Sequence, residues 1–143
     1  MDIYYKSISE SGKQMINYVC KYAPVELFKG FGQECAVLEE MPENFDKSDK
    51  IAHANLCGFG KSVIQAVLEG KVEELVLVNC CDSMRRVYDI IENTKKCKFL
   101  YMLDLPHEDN ECENIKFAQS ILRLKNAYER YSHRTFDREL FIK

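Results

Sequence analysis

Two short apolar runs constrain this chain more than anything else in it. Glu74 to Asn79 (ELVLVN) and Phe99 to Leu103 (FLYML) have strand length and almost no polar alternation. Each therefore suits a strand covered on both faces. Between them, Met84, Val87, Tyr88 and Ile91 recur at helical spacing over Met84 to Asn93, with Asp82 or Ser83 placed to cap that helix. A strand, a helix and a strand in succession imply a right-handed crossover between parallel neighbours. The predicted fold class is α/β, a parallel sheet with helices on both faces, in three layers. A chain of 143 residues is long enough for one domain with a substantial core, so residues 1–143 are read as a single α/β domain.

The remaining segments fit that plan. Ser9 to Val19 carries Met15, Tyr18 and Val19 at helical spacing and is predicted as a helix. Pro24 suits the start of a short helix in PVELFKGF, which Gly30 and Gly32 end. Glu34 to Glu39 is predicted as a strand. The polar segment EMPENFDKSDK reads as a solvated loop. Ser62 to Leu68 is a helix with Val63, Ile64, Val67 and Leu68 on one face. Glu111 to Tyr131 is a long amphipathic helix with Ile115, Ala118, Ile121, Leu122 and Tyr128 turned inward. Thr135 reads as a cap before FDRELFIK, only a first turn or two of helix before Lys143, and the sequence is expected to be a piece of a longer protein.

Composition narrows the function. A net charge of −3 gives no electrostatic reason to expect nucleic acid. No run approaches the roughly 20 apolar residues that span a bilayer, and MDIYYKSISESGK lacks the apolar centre of an export signal. A cytoplasmic location with no membrane association is expected. Seven cysteines in a reducing compartment turn attention from disulfides to metal binding or thiol chemistry, although any one of them can be a small buried hydrophobe.

Two of these cysteines sit in turns that open directly into helices. One turn is Ala54-Asn55-Leu56-Cys57-Gly58-Phe59-Gly60-Lys61-Ser62. The other begins Asn79-Cys80-Cys81-Asp82-Ser83. Helix starts present free N–H groups and partial positive charge, which favour thiolates and anions. Gly60-Lys61-Ser62 matches the end of a phosphate-binding loop, but its first glycine position holds Asn55 and no strand leads into it, so a nucleotide site is set aside. Zinc is disfavoured because no C-x-x-C pair is present and His53, His107 and His133 are scattered. Cys57 and Cys81, each at the carboxyl end of a strand, can instead share an iron–sulfur cluster, whose net negative charge suits helix starts. A reactive-thiol enzyme competes with that reading.

The strings NLCGFGKS, GKVEELVLVN, CDSMRRVYD and FLYMLDLP, with YVCKYAPVELFKGFG upstream, together resemble the 2-hydroxyacyl-CoA dehydratase family, which includes benzoyl-CoA reductase subunits and double-cubane proteins. The similarity runs from about Tyr18 to Lys143. The resemblance implies a subunit of flavodoxin- or Rossmann-like domains with a 4Fe–4S cluster between them, of which this chain is the N-terminal, cluster-binding domain. It implies Cys57 and Cys81 as two of three cysteine ligands. Cys80 is expected not to ligate, and the third ligand is expected from a second domain. Cys97 and Cys112 are not assigned to it, Cys112 being the better substitute. The activity implied is that of a lyase. An ATP-dependent iron–sulfur activator supplies one electron, the acyl-CoA thioester becomes a ketyl radical anion, the 2-hydroxyl leaves and the electron is recovered. A second dehydratase subunit and the acyl-CoA are the other implied partners, and the piece alone is expected to be inactive. Gly58 and Gly60 would permit close approach of the loop. Lys61, Arg85 or Arg86 could meet CoA phosphates, although each also reads as surface charge, and no catalytic base is identified. An electron-transfer member of the same family, without acyl-CoA chemistry, and a non-redox α/β module are the alternatives.

Overall fold

A computed structural model describes residues 15–39 and 41–143. Four parallel strands form one sheet in the order β2-β1-β3-β4: β1 (Ile16–Tyr18), β2 (Cys35–Val37), β3 (Glu74–Val78) and β4 (Phe99–Leu103). The helices are α1 (Val25–Lys29), α2 (Gly58–Leu68), α3 (Asp82–Thr94), α4 (Glu111–Ser132) and α5 (Arg138–Ile142). The α/β class and the parallel sheet follow the sequence reading. No helix among the described residues is long and apolar enough to cross a membrane.

Central strand β3 explains the two-sided core. All five of its residues are buried. Leu75 and Leu77 pack with Val63, Ile64 and Val67 of α2 and Met84, Val87 and Ile91 of α3. Val76 packs the opposite way, with Ile16, Leu27 and Phe28 of α1, and Leu124 and Tyr128 of α4. Strand alternation thus sends neighbouring side chains into separate layers. An aromatic group thickens the second layer, where Tyr128 meets Phe28, Phe31 and Phe99 edge-on with centroids 5.0–5.2 Å apart.

Four expectations are corrected. Asp137, not Thr135, caps the last helix, its Oδ1 accepting from the N–H groups of Glu139 and Leu140. Ile16–Tyr18 is a strand, not part of a helix; it pairs with β2 at Ile16↔Cys35 and with β3 at Tyr18↔Val76. Pairing on both sides outweighs the weak helical spacing of so short a segment. The rest of that predicted helix, residues 9–14, lies outside the described residues. The loop EMPENFDKSDK is not simply solvated. Ser48 is fully buried, and Gln65 Oε1 accepts from the backbone N–H groups of Lys47 at 3.0 Å and Ser48 at 2.9 Å. On α4 the inward face is Phe117, Ile121, Leu124, Tyr128 and Tyr131, whereas Ile115, Ala118 and Leu122 are exposed.

At the amino-terminal edge of the sheet, Glu74 is buried. Tyr131 donates to its Oε1 at 2.9 Å, while Oε2 has no hydrogen-bond partner among the described residues. Burial holds this carboxyl above its ordinary value of 4.5, against the opposing effect of the Tyr131 hydroxyl. An acid raised in this way holds its proton more firmly folded than unfolded. Its stabilising contribution is complete below the ordinary value and is lost as pH rises through the raised one. Glu74→Gln is therefore expected to flatten the decline in urea midpoint between pH 4.5 and neutrality. An unchanged slope would contradict this.

Candidate functional site

The strand order places a reversal between β1 and β3. In open parallel sheets, ligands settle outside the carboxyl ends of the strands at such a point. The turns that leave β1 and β3 carry Cys20 and the pair Cys80-Cys81. Cys57, expected at the carboxyl end of a strand, does not follow one; a turn leads into it, and it sits instead as the cap of α2.

Cys57 is the N-cap of α2, and its Sγ accepts from the Gly60 N–H at 3.4 Å. The backbone N–H of Gly60 lowers the Cys57 thiol pKa most, followed by a hydrogen bond from the Ser83 hydroxyl. Ser83 lies in the first turn of α3, so part of what lowers the Cys57 thiol comes from the helix that Cys81 caps. Cys81, and not Asp82 or Ser83 as expected, is the N-cap of α3; its backbone is extended and its side chain makes no capping bond. The first-turn N–H groups of α3 are therefore left without a side-chain acceptor from their cap. Both thiols are exposed.

Close packing of α2 on α3 brings these helix starts together. A Cβ added at Gly60 would lie 3.1 Å from Val87 Cγ2 and 3.2 Å from Leu56 Cγ. A Cβ at Gly58 would meet nothing within 4 Å. Close approach is thus a property of Gly60 alone of the two. Both substitutions gain helix propensity, so their difference isolates the contact. Gly60→Ala is expected to be less stable than Gly58→Ala by about 1–2 kcal/mol, measured as urea midpoints, and equal midpoints would refute the tight contact.

Cys80 does not stand apart. Burial first, and then the neighbouring Cys20 and Cys81 thiols, push its pKa up to about 11. Sequence reading gave Cys20 no chemical role, because its proximity to Cys80 depends on strand order and not on spacing along the chain. Asn79, also unremarked in sequence, ties the exit of β3 to that of β4: its Nδ2 donates to Asp104 Oδ1 at 2.8 Å, and its Oδ1 accepts from Leu105 N–H at 2.8 Å. Cys97 lies before β4, at the other edge of the sheet, with its thiol pushed up to about 11 by burial. Cys112 is exposed in the first turn of α4. No three His, Cys, Asp or Glu side chains among the described residues converge on a point that would hold a single metal ion.

The basic residues divide. Lys61 is committed to Asp49 at 3.0 Å. Arg86 lines a cleft of about 510 Å³ with His53, Leu56, Asp82 and Ser83, beside the Cys57 turn. Arg85 lines another, of about 430 Å³, with Lys116 and Arg123 of α4.

The fold and this edge define a parallel α/β protein whose cysteine-bearing helix starts lie side by side. The family model for the 2-hydroxyglutaryl-CoA dehydratase D-component matches residues 20–143, and the chain belongs to that family. Among curated proteins, none matches the chain.

Proposed function

We propose that this chain is the N-terminal, cluster-binding domain of a 2-hydroxyacyl-CoA dehydratase-type subunit, and that Cys57 and Cys81 are two ligands of its 4Fe–4S cluster. The observation that carries the reading is the close packing of α2 on α3 at Gly60 and Val87, which sets the helix start capped by Cys57 beside the one capped by Cys81. A cubane spreads its cysteine ligands over separate irons, so thiolates need not converge as they do around one ion. Exposed soft thiols, one of them already favoured as thiolate, fit two corners of such a cluster. The third ligand comes from outside this chain.

When bound, the cluster supplies a low-potential electron to the acyl-CoA thioester, received from an ATP-dependent iron–sulfur activator. The chain's own contribution is ligation, orientation and shielding. Gly60 N–H and the Ser83 hydroxyl hold negative charge on the Cys57 sulfur. The α3 start offers N–H groups next to Cys81. The Val87–Gly60 contact keeps the two helix starts in register. A second subunit is the expected partner in the assembled dehydratase.

Iron and sulfide analysis of the anaerobically purified parent protein tests this. Wild type is expected to carry cluster iron, and Cys57→Ser and Cys81→Ser are each expected to lose it by about tenfold or more. Undiminished iron in both variants would remove the assignment. An acyl-CoA titration of the loaded protein separates a dehydratase from an electron-transfer protein of the same family.

A further inference from the structure

We propose that the amino-terminal edge of the sheet carries a second ligand site, which takes a free α-amino acid with its ammonium group against Glu74 and its carboxylate against Arg134. Glu74 opens β3, at the opposite end of that strand from Cys80 and Cys81. The site stands independently of the cluster reading.

A cavity of about 410 Å³ lies between the start of β3, the last turn of α4 and the turn that leads into β2. Glu74, Tyr131 and Arg134 line it, together with Gly32 and Gln33. A Cβ added at Gly32 would meet nothing within 4 Å, so the turn before β2 leaves this space open. Glu74 is only 5% exposed. Tyr131 occupies its Oε1, and its buried Oε2 accepts from no group among the described residues. Buried acceptors nearly always have a donor. An unused one on a residue in the wall of a polar cavity points to a donor from outside the chain.

Charge selects the ligand. Burial raises the Glu74 carboxyl, the Tyr131 hydroxyl opposes that rise, and the positive charge of Arg134 opposes it next. A charged donor offsets the cost of burying a carboxylate better than a neutral one. Arg134 supplies the other pole. Its Nη1 donates to the Phe31 carbonyl at 3.3 Å and to Gln33 Oε1 at 3.2 Å. Both acceptors are neutral, so the guanidinium keeps its charge and its remaining N–H groups for a carboxylate. A simple cation would be repelled by Arg134, and a simple anion by Glu74. A ligand that bears both charges suits both walls. Arg134 is near enough to act on the Glu74 carboxyl, which fits the short spacing of charges in an α-amino acid.

Both poles are held before any ligand arrives. The Tyr131 ring that fixes Glu74 packs on Phe99 with centroids 5.1 Å apart. Arg134 follows His133, whose left-handed backbone ends α4. The Arg134 N–H donates to Ser132 Oγ at 3.3 Å, and that hydroxyl donates to the Tyr128 carbonyl at 2.7 Å. Groups fixed in this way lose little freedom on binding.

The test titrates the full chain with glycine, the part common to all α-amino acids, and follows backbone amide NMR signals. So small a ligand is expected to bind with a Kd of about 1–10 mM. The signals of Gln33, Ser132 and Arg134 are expected to shift and saturate while that of Lys61 stays in place. N-acetylglycine lacks the ammonium group and glycinamide lacks the carboxylate. Each is expected to bind at least about tenfold more weakly. Glu74→Gln and Arg134→Gln, each checked for unchanged signals around Lys61, are expected to weaken glycine binding to a similar extent. The Cys57→Ser/Cys81→Ser double variant is expected to titrate as wild type does. No saturable shift by about 50 mM glycine, equal binding of either blocked analogue, or undiminished binding in either single variant would overturn the proposal.

Discussion

Gln65→Leu is expected to destabilise the protein by about 2–4 kcal/mol, because it strands two backbone donors together. Gln65 is 1% exposed and its Oε1 is the acceptor for both Lys47 and Ser48. Leucine fills similar space but accepts nothing. The donors must then stay unpaired or the loop must open to water. The amide hydrogens of residues 47 and 48 should consequently exchange much faster, and the urea midpoint should fall. The damage should reach the site, since the segment released by this change leads directly into the Cys57 turn. Faster alkylation at Cys57 with unchanged alkylation at Cys112 would record that spread. A variant with wild-type exchange at 47 and 48 would show that the glutamine does not anchor the loop.

Gly30→Ala is expected to cost about 2–4 kcal/mol, combining overpacking with partial loss of aromatic burial. The ring of Phe136 occupies the place where a side chain at Gly30 would begin, in hard contact with any added Cβ. That ring also meets Phe31 edge-on at 5.4 Å and lies under the Lys125 ammonium at 5.3 Å. Asp137 N–H donates to the Gly30 carbonyl at 2.7 Å, so the segment before α5 is held by α1 through backbone as well as ring. The backbone at Gly30 is ordinary helical, φ −62°, so the penalty is steric and not conformational. A double-mutant cycle decides the matter. With Phe136→Ala already present, Gly30→Ala should cost under about 1 kcal/mol. An equal cost in both backgrounds would place the effect elsewhere.

Legibility in the sequence followed how many neighbours each segment needed. β3 and β4 were readable because a strand covered on both faces is apolar throughout, and α3 because Met84, Val87 and Ile91 leave little choice of face. The Cys57 and Cys81 turns were readable as helix starts, since caps are local. β1 was not, because three residues hold too little periodicity and acquire their conformation from β2 and β3. On α4 the apolar residues wrap more than one stripe. Ile115 and Leu122 competed with Leu124 for the inward face, and only packing on β4 and α1 decided it. The Gln65 anchor and the Cys20–Cys80 proximity were hidden for the same reason: each joins residues whose separation is set by the folded topology. Gly30 was read as a helix stop, which it is, while its role as the seat of Phe136 depends on a residue more than a hundred positions away.

One carboxamide gives the sheet's carboxyl edge a mechanical property. Asn79 grips both Asp104 and Leu105, and the next two residues are Cys80 and Cys81. The loop beyond β4 and the bend beyond β3 are thus leaves on a single hinge pin. The chain that carries Cys80 and Cys81 departs from the sheet at a residue pinned to the exit of the neighbouring strand.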